Sequence, residues 1–161
     1  MTVGWMDTRR QRAEILLTGR RVIHGDIHLQ PLAKNHSGPE GPLDLLNRTE
    51  AFFAVTLEGE QPVFVAKGQV LALTLDAEAA QHDPDRESAA RRVELEVELA
   101  DGSLFEGVVI IELPPDRPRL LDFLNLAPEF FALWSPNVVR FLNRDHVRAV
   151  SPLAQVSRAS S

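Results

Sequence analysis

The sequence predicts an all-β protein: two tandem five-stranded barrels, each with one short helical turn. Three observations carry this. The second half of the chain repeats the first, several stretches alternate apolar and polar residues with a period of two, and Gly, Asp and Asn residues punctuate them as turns. Leu43-Asp44-Leu45-Leu46-Asn47, then Phe52-Phe53-Ala54-Val55, recurs without a gap as Leu121-Asp122-Phe123-Leu124-Asn125, then Phe130-Phe131-Ala132-Leu133. Leu17-x4-Val22-Ile23-x-Gly25 answers Leu99-x4-Leu104-Phe105-x-Gly107, and Val70-x-Ala72-Leu73 answers Val147-x-Ala149-Val150. A unit of roughly 60 to 70 residues is too long for a solenoid repeat and about right for a small domain. Such a unit buries a marginal fraction of its surface alone, which predicts that the two pack together.

The expected boundaries are residues 12–76 for the first barrel, 77–90 for a polar linker and 91–152 for the second barrel. In the first unit, Ala13–Thr18 and Val22–Leu29 read as strands around a turn at Gly19-Arg20, the second halted at Pro31. A polar, Pro-containing loop then leads to Leu43–Asn47, a single helical turn with Asp44 as its cap. Strands follow at 51–57, 62–66 and 69–75, with Gly59 and Gly68 at the turns. The second unit opens on the cleanest alternation in the chain. Val93, Leu95, Val97 and Leu99 face one way, and Arg92, Glu94, Glu96 and Glu98 the other, the pattern of a half-buried strand. Asp101-Gly102 tolerates the positive φ of a tight hairpin, and Ser103–Leu113 returns as a strand stopped by Pro114-Pro115. A helical turn at Asp122, a strand at 129–134 and a hairpin of 138–142 with 145–150 complete the unit. Residues 1–11 and 153–161 read as loose ends.

The chain has 161 residues, 17 Lys and Arg, 23 Asp and Glu, and a net charge of −6. Residues 1–76 carry 8 basic and 9 acidic groups, and residues 91–161 carry 8 and 10, so neither unit is basic. That argues against strong non-specific nucleic-acid binding, whose affinity comes mostly from phosphate neutralisation by Lys and Arg. The absence of cysteine removes disulfide and thiolate chemistry and fits a reducing compartment. No apolar run approaches the length that spans a bilayer, and Met1–Asp7 lacks the order of a secretory signal. The reading is a cytoplasmic protein with no membrane partner. It has no phosphate-cradling Gly-rich loop, no Gly-x-Ser-x-Gly and no His-Glu-x-x-His, so neither catalysis nor a cofactor is expected.

Leu99-x-Asp101-Gly102-x-x-Phe105-x-Gly107, followed by Asp122-x-x-Asn125, resembles the first signature of the Sm and Sm-like proteins. Phe141-Leu142-Asn143-Arg144-Asp145-His146-Val147-Arg148-Ala149-Val150 is similar to their second signature, a hairpin around a basic or polar turn. The resemblance covers most of the second unit and, more weakly, the first. It implies a strongly bent five-stranded barrel of the SH3-like kind, and a ring-forming, often RNA-binding assembly. The family's RNA loops map onto Asp122, Asn125, Asn143, Arg144 and His146, and in the first unit onto Asp44, Asn47 and Lys67.

Three groups of residues are candidate sites. His24, Asp26 and His28 share one strand face, and two imidazoles with a carboxylate suit Zn²⁺. Residues two apart on a strand nevertheless stand nearly 7 Å from each other, so convergence needs a bulge, and the second unit has Glu106, Val108 and Ile110 there. A solvated polar face is the alternative. Val108 and Ile110 make their strand apolar on both faces at its middle, which predicts a covered outer face: by the other unit or by a second chain. Asn47 and Asn125 form either a ligand loop used twice or caps of the helical turn. The leading functional expectation is a non-enzymatic adaptor or assembly module that binds protein, its own copies included, through the barrel surfaces at Val108 and Ile110. RNA binding through the loops is the alternative, and a metal-dependent enzyme at His24 and His28 the third reading.

Overall fold

The computed structural model describes residues 8–31, 38–76, 91–111 and 120–153. The linker at 77–90 and the expected end of the seventh strand with its prolines lie outside them. The first half contains β1 (Arg9–Leu17), β2 (Arg21–Leu29), α1 (Pro42–Leu46), β3 (Phe52–Thr56), β4 (Pro62–Ala66) and β5 (Val70–Asp76). The second contains β6 (Arg91–Leu99), β7 (Leu104–Ile111), α2 (Leu120–Leu126), β8 (Phe130–Trp134), β9 (Val138–Asn143) and β10 (Val147–Pro152). The all-β class and the placement of one short helix in each half are as the sequence predicts. No helix among the described residues is long and apolar enough to cross a membrane.

The ten strands form one antiparallel sheet in the order β10-β6-β7-β8-β9-β5-β1-β2-β3-β4. Each half therefore repeats one order, last strand first. The halves are joined where β5 pairs with β9, from Ala72 opposite Leu142 to Asp76 opposite Val138. The sheet does not close: β4 and β10 are its edges. The expectation of two tandem barrels packed together does not anticipate that the halves share one continuous, open sheet. A five-stranded set leaves backbone N–H and C=O groups unpaired at both of its edges, and pairing one edge of each satisfies them.

Local chemistry explains the bends. The β1–β2 and β3–β4 turns each place a glycine and its successor in the left-handed region, Gly19 (φ 77) with Arg20 (φ 61) and Gly59 (φ 79) with Glu60 (φ 62). Inside the strands, the repeated glycines permit close crossings. A Cβ at Gly25 would lie 2.6 Å from Val55 Cγ1 and 2.8 Å from the Thr56 carbonyl oxygen; one at Gly107 would lie 2.5 Å from the Trp134 carbonyl oxygen. Glycine inside a strand marks such an approach of backbone to backbone. The alternation of β6 holds, with Leu95, Val97 and Leu99 fully buried. β1 begins earlier than the sequence suggests. Residues 9–11 are strand rather than a loose end, because Arg9 and Arg10 pair with Leu29 and His28 on β2 and Arg10 Nη2 reaches Glu60 Oε1 at 3.0 Å.

Candidate functional site at the junction of the halves

The junction is built first from backbone. The Ser135 N–H donates to the Val138 carbonyl at 2.9 Å, which turns Val138 toward β8. Residues alternate along an antiparallel strand, so Val139, Phe141 and Asn143 present their amides to β5. Their side chains, with Phe130, lie on one face of β8–β9. Phe130, Val139 and Phe141 belong to the same hydrophobic cluster as Ile15, Leu46, Leu73 and Leu75. The core of the first half is thus completed by three residues of the second. Phe130 is 0% and Phe141 4% exposed.

A polar seam runs beside this apolar contact. Asn47, at the C-terminal end of α1, accepts the Phe130 N–H through Oδ1 at 2.9 Å and donates through Nδ2 to the Phe130 carbonyl at 3.3 Å. Asn143 is buried; its Nδ2 donates to the Val70 carbonyl at 3.0 Å, and its Oδ1 accepts the Asp145 N–H at 3.0 Å. His146 Nε2 donates to the Gly68 carbonyl at 2.7 Å, which fixes the proton on that nitrogen.

The other loop candidates serve their own halves. Asp44 caps α1 from inside the helix, accepting the Gly41 N–H at 2.8 Å. Lys67 is only 3% exposed, and its Nζ donates to the Arg48 carbonyl at 2.9 Å. Burial holds its amine below the usual lysine range, as does the nearby Arg48 charge, against the pull of Glu50, Glu129 and Glu40. Glu40, also buried, pairs with Arg48 Nε at 2.9 Å and accepts the Gln30 N–H at 2.9 Å. The Arg144 guanidinium donates to the Ala127 carbonyl and its N–H to Glu129 O at 2.8 Å. Asp122 is half-buried in α2, and Asn125 is exposed.

His24, Asp26 and His28 share a strand face, yet each turns to a different neighbour. His24 Nδ1 is 3.9 Å from Glu14, Asp26 lies between Arg10 and Arg12, and His28 Nε2 shares a 2.7 Å hydrogen bond with Thr56 Oγ1. Among the described residues no group of three or more His, Asp or Glu side chains is arranged to hold a metal ion. Burial, then the Arg10 charge, lowers the His28 pKa. Val108 and Ile110 are half-buried. Val108 stands opposite Trp134, whose side chain packs on the first half's cluster, so Val108 borders the face that the first half covers.

The repeat places the same apolar face at the far end of the sheet, without the cover. Phe52 and Phe64 occupy the positions of Phe130 and Phe141, and they are 59% and 65% exposed. Sequence reasoning missed this pair, although both phenylalanines face away from the buried alternation of Phe53, Val55 and Val65. No protein-family model, curated protein or solved structure matches the chain.

Proposed function

We propose that the chain is a non-enzymatic, cytoplasmic assembly module made of two small Sm- or SH3-like β-barrel units, which binds protein through its sheet edges and the apolar faces beside them. The observation that carries this reading is the junction itself. One half recognises the other by extending its sheet, filling its core with Phe130 and Phe141, and clamping a strand end with Asn47. Strand addition of this kind is a general mode of protein recognition, with main-chain bonds giving affinity and side-chain pockets giving selectivity. The edges at β4 and β10 are open to the same mode of recognition. Of the residues expected to contact RNA, Asn47, Lys67 and Asn143 are already engaged in internal bonds, which weighs against the RNA reading at those positions.

The test is capture from a cell lysate on immobilised protein, with and without ribonuclease. The expected result is a discrete protein retained after ribonuclease treatment and lost with Phe52→Glu plus Phe64→Glu at one end of the sheet, or with Val108→Glu plus Ile110→Glu on β7. Retention of RNA alone, released by moderate salt, overturns the reading in favour of an RNA binder.

A further inference from the structure

Phe52 and Phe64 belong to a longer apolar strip. β3 and β4 pair Phe52 with Ala66, Ala54 with Phe64 and Thr56 with Pro62, so these side chains share the sheet face opposite the buried Phe53, Val55 and Val65. All but Thr56 are apolar, and the two phenylalanines are more than half exposed. Thr56 ends the strip and joins it to the start of the chain. Its Oγ1 shares a 2.7 Å hydrogen bond with His28 Nε2, and His28 Nδ1 lies 3.5 Å from Thr8 Oγ1. One imidazole therefore separates Thr8 from Thr56. On the same side Arg10 reaches across β2 to Glu60 in the β3–β4 turn, donating to its two carboxylate oxygens at 3.0 and 3.2 Å. The first described residues are thus held on the strip's own face, and the chain before Thr8 departs from there.

We propose that residues 1–7 of the same chain cover this strip, Trp5 and Met6 packing on Phe52 and Phe64, and that a protein partner must displace them. The displacement rests on the protein-binding reading above; the cover does not. Composition singles out the segment. Met1-Thr2-Val3-Gly4-Trp5-Met6-Asp7 holds both methionines and one of the two tryptophans of the chain. The other stretches outside the described residues, 32–37, 77–90, 112–119 and 154–161, contain no tryptophan, phenylalanine or methionine. Reach is sufficient. β4 lies three strand spacings from β1, about 15 Å, while seven extended residues span up to about 25 Å. The chemistry fits as well, since an indole packs edge or face against phenyl rings and a thioether is attracted to them. Through the repeat, Phe130 and Phe141 show the same face when it is covered: they are 0% and 4% exposed. A tethered segment needs little intrinsic affinity, because the tether supplies a high effective concentration, and a partner that binds the strip more tightly can take its place.

Tryptophan fluorescence of the full chain tests this, since Trp5 and Trp134 are its two tryptophans. Trp134→Phe leaves Trp5 as the one emitter, and subtracting the Trp5→Phe spectrum from that of the wild type isolates the same signal without touching Trp134. A covered Trp5 emits at shorter wavelength than free tryptophan and resists quenching by acrylamide. Adding Phe52→Glu plus Phe64→Glu should shift that emission to longer wavelength and raise the quenching to that of a solvated indole. Both phenylalanines are exposed, so the fold should persist, and circular dichroism checks it. The signal should not change on dilution, because one chain supplies both surfaces. Three results overturn the cover: a Trp5 quenched like free tryptophan in the parent, a shielded Trp5 that ignores the two glutamates, or shielding lost on dilution, which assigns the segment to a second copy. Trp5→Ser should increase the amount of protein captured from lysate at this face, and an unchanged amount overturns the displacement. An exposed Trp5 with a lysate protein still captured removes the cover and leaves the protein-binding reading standing. A shielded Trp5, with nothing captured even by Trp5→Ser, does the reverse.

Discussion

Asn47 and Asn125 are the same residue of the repeat in two settings, which makes their alanine variants a controlled pair. Asn47→Ala removes the acceptor of the Phe130 N–H at 2.9 Å and the donor to the Phe130 carbonyl at 3.3 Å. The longer bond contributes little. The shorter one matters because Phe130 is fully buried and its amide has no water to turn to. An orphaned buried donor costs about 1–3 kcal/mol, so Asn47→Ala should destabilise the protein by about 2 kcal/mol. In a chain of this length that lowers the melting temperature by roughly 4–8 °C. Asn125→Ala, at an exposed site, should stay within about 0.5 kcal/mol of wild type. Asn47→Asp keeps the acceptor and should fall between the two. Urea unfolding followed by circular dichroism measures all three. Equal losses for Asn47→Ala and Asn125→Ala would falsify the claim that Asn47 ties the halves together.

Other outcomes follow from the same geometry. Gly107→Ala places a methyl 2.5 Å from the Trp134 carbonyl oxygen and 2.8 Å from Leu133 Cγ, and should cost about 1–3 kcal/mol in urea unfolding; a neutral result contradicts the close strand crossing. Lys67 titrates below its ordinary 10.5 in the folded protein, so between that lowered value and 10.5 the unfolded chain holds more protons. Stability relative to Lys67→Met should therefore rise with pH through that window, and denaturant titrations showing a parallel or falling difference refute it.

Much of this fold is legible in the sequence, because its elements rest on local chemistry. The alternation of Val93 to Leu99 fixes which face of β6 is buried, and Gly19, Gly59 and Asp101-Gly102 fix the turns. The repeated Gly25 and Gly107 signal the crossings that bend the sheet. β1 is harder to see at its start, where Arg9, Arg10 and Arg12 suggest a solvated tail; their pairing with β2 and with Glu60 is a tertiary fact that composition hides. Lys67 and Glu40 defeat the usual inference from charge to exposure in the same way, since a backbone carbonyl and an arginine satisfy them below the surface.

The pairing of β5 with β9 has no local signature, since ladder bonds are made by backbone that every residue shares. Divergence between the two copies carries that information instead. Where the copies agree, as at Gly25 and Gly107 or Asp44 and Asp122, they report the demands of the unit. Where they differ, they report position in the sheet. Asn143 against Ala66, Val139 against Pro62 and Leu75 against Pro152 all fall on strands that are interior in one copy and terminal in the other. Asparagine and aliphatic residues complete the covered junction, while proline and alanine blunt the open ends. Phe52 and Phe64 run against this trend. They keep the aromatic face of Phe130 and Phe141 at an end where nothing in the chain's described residues buries it. Retaining two exposed phenylalanines beside an edge already blunted by proline opposes solubility, and the opposition disappears if that face is covered by a protein partner.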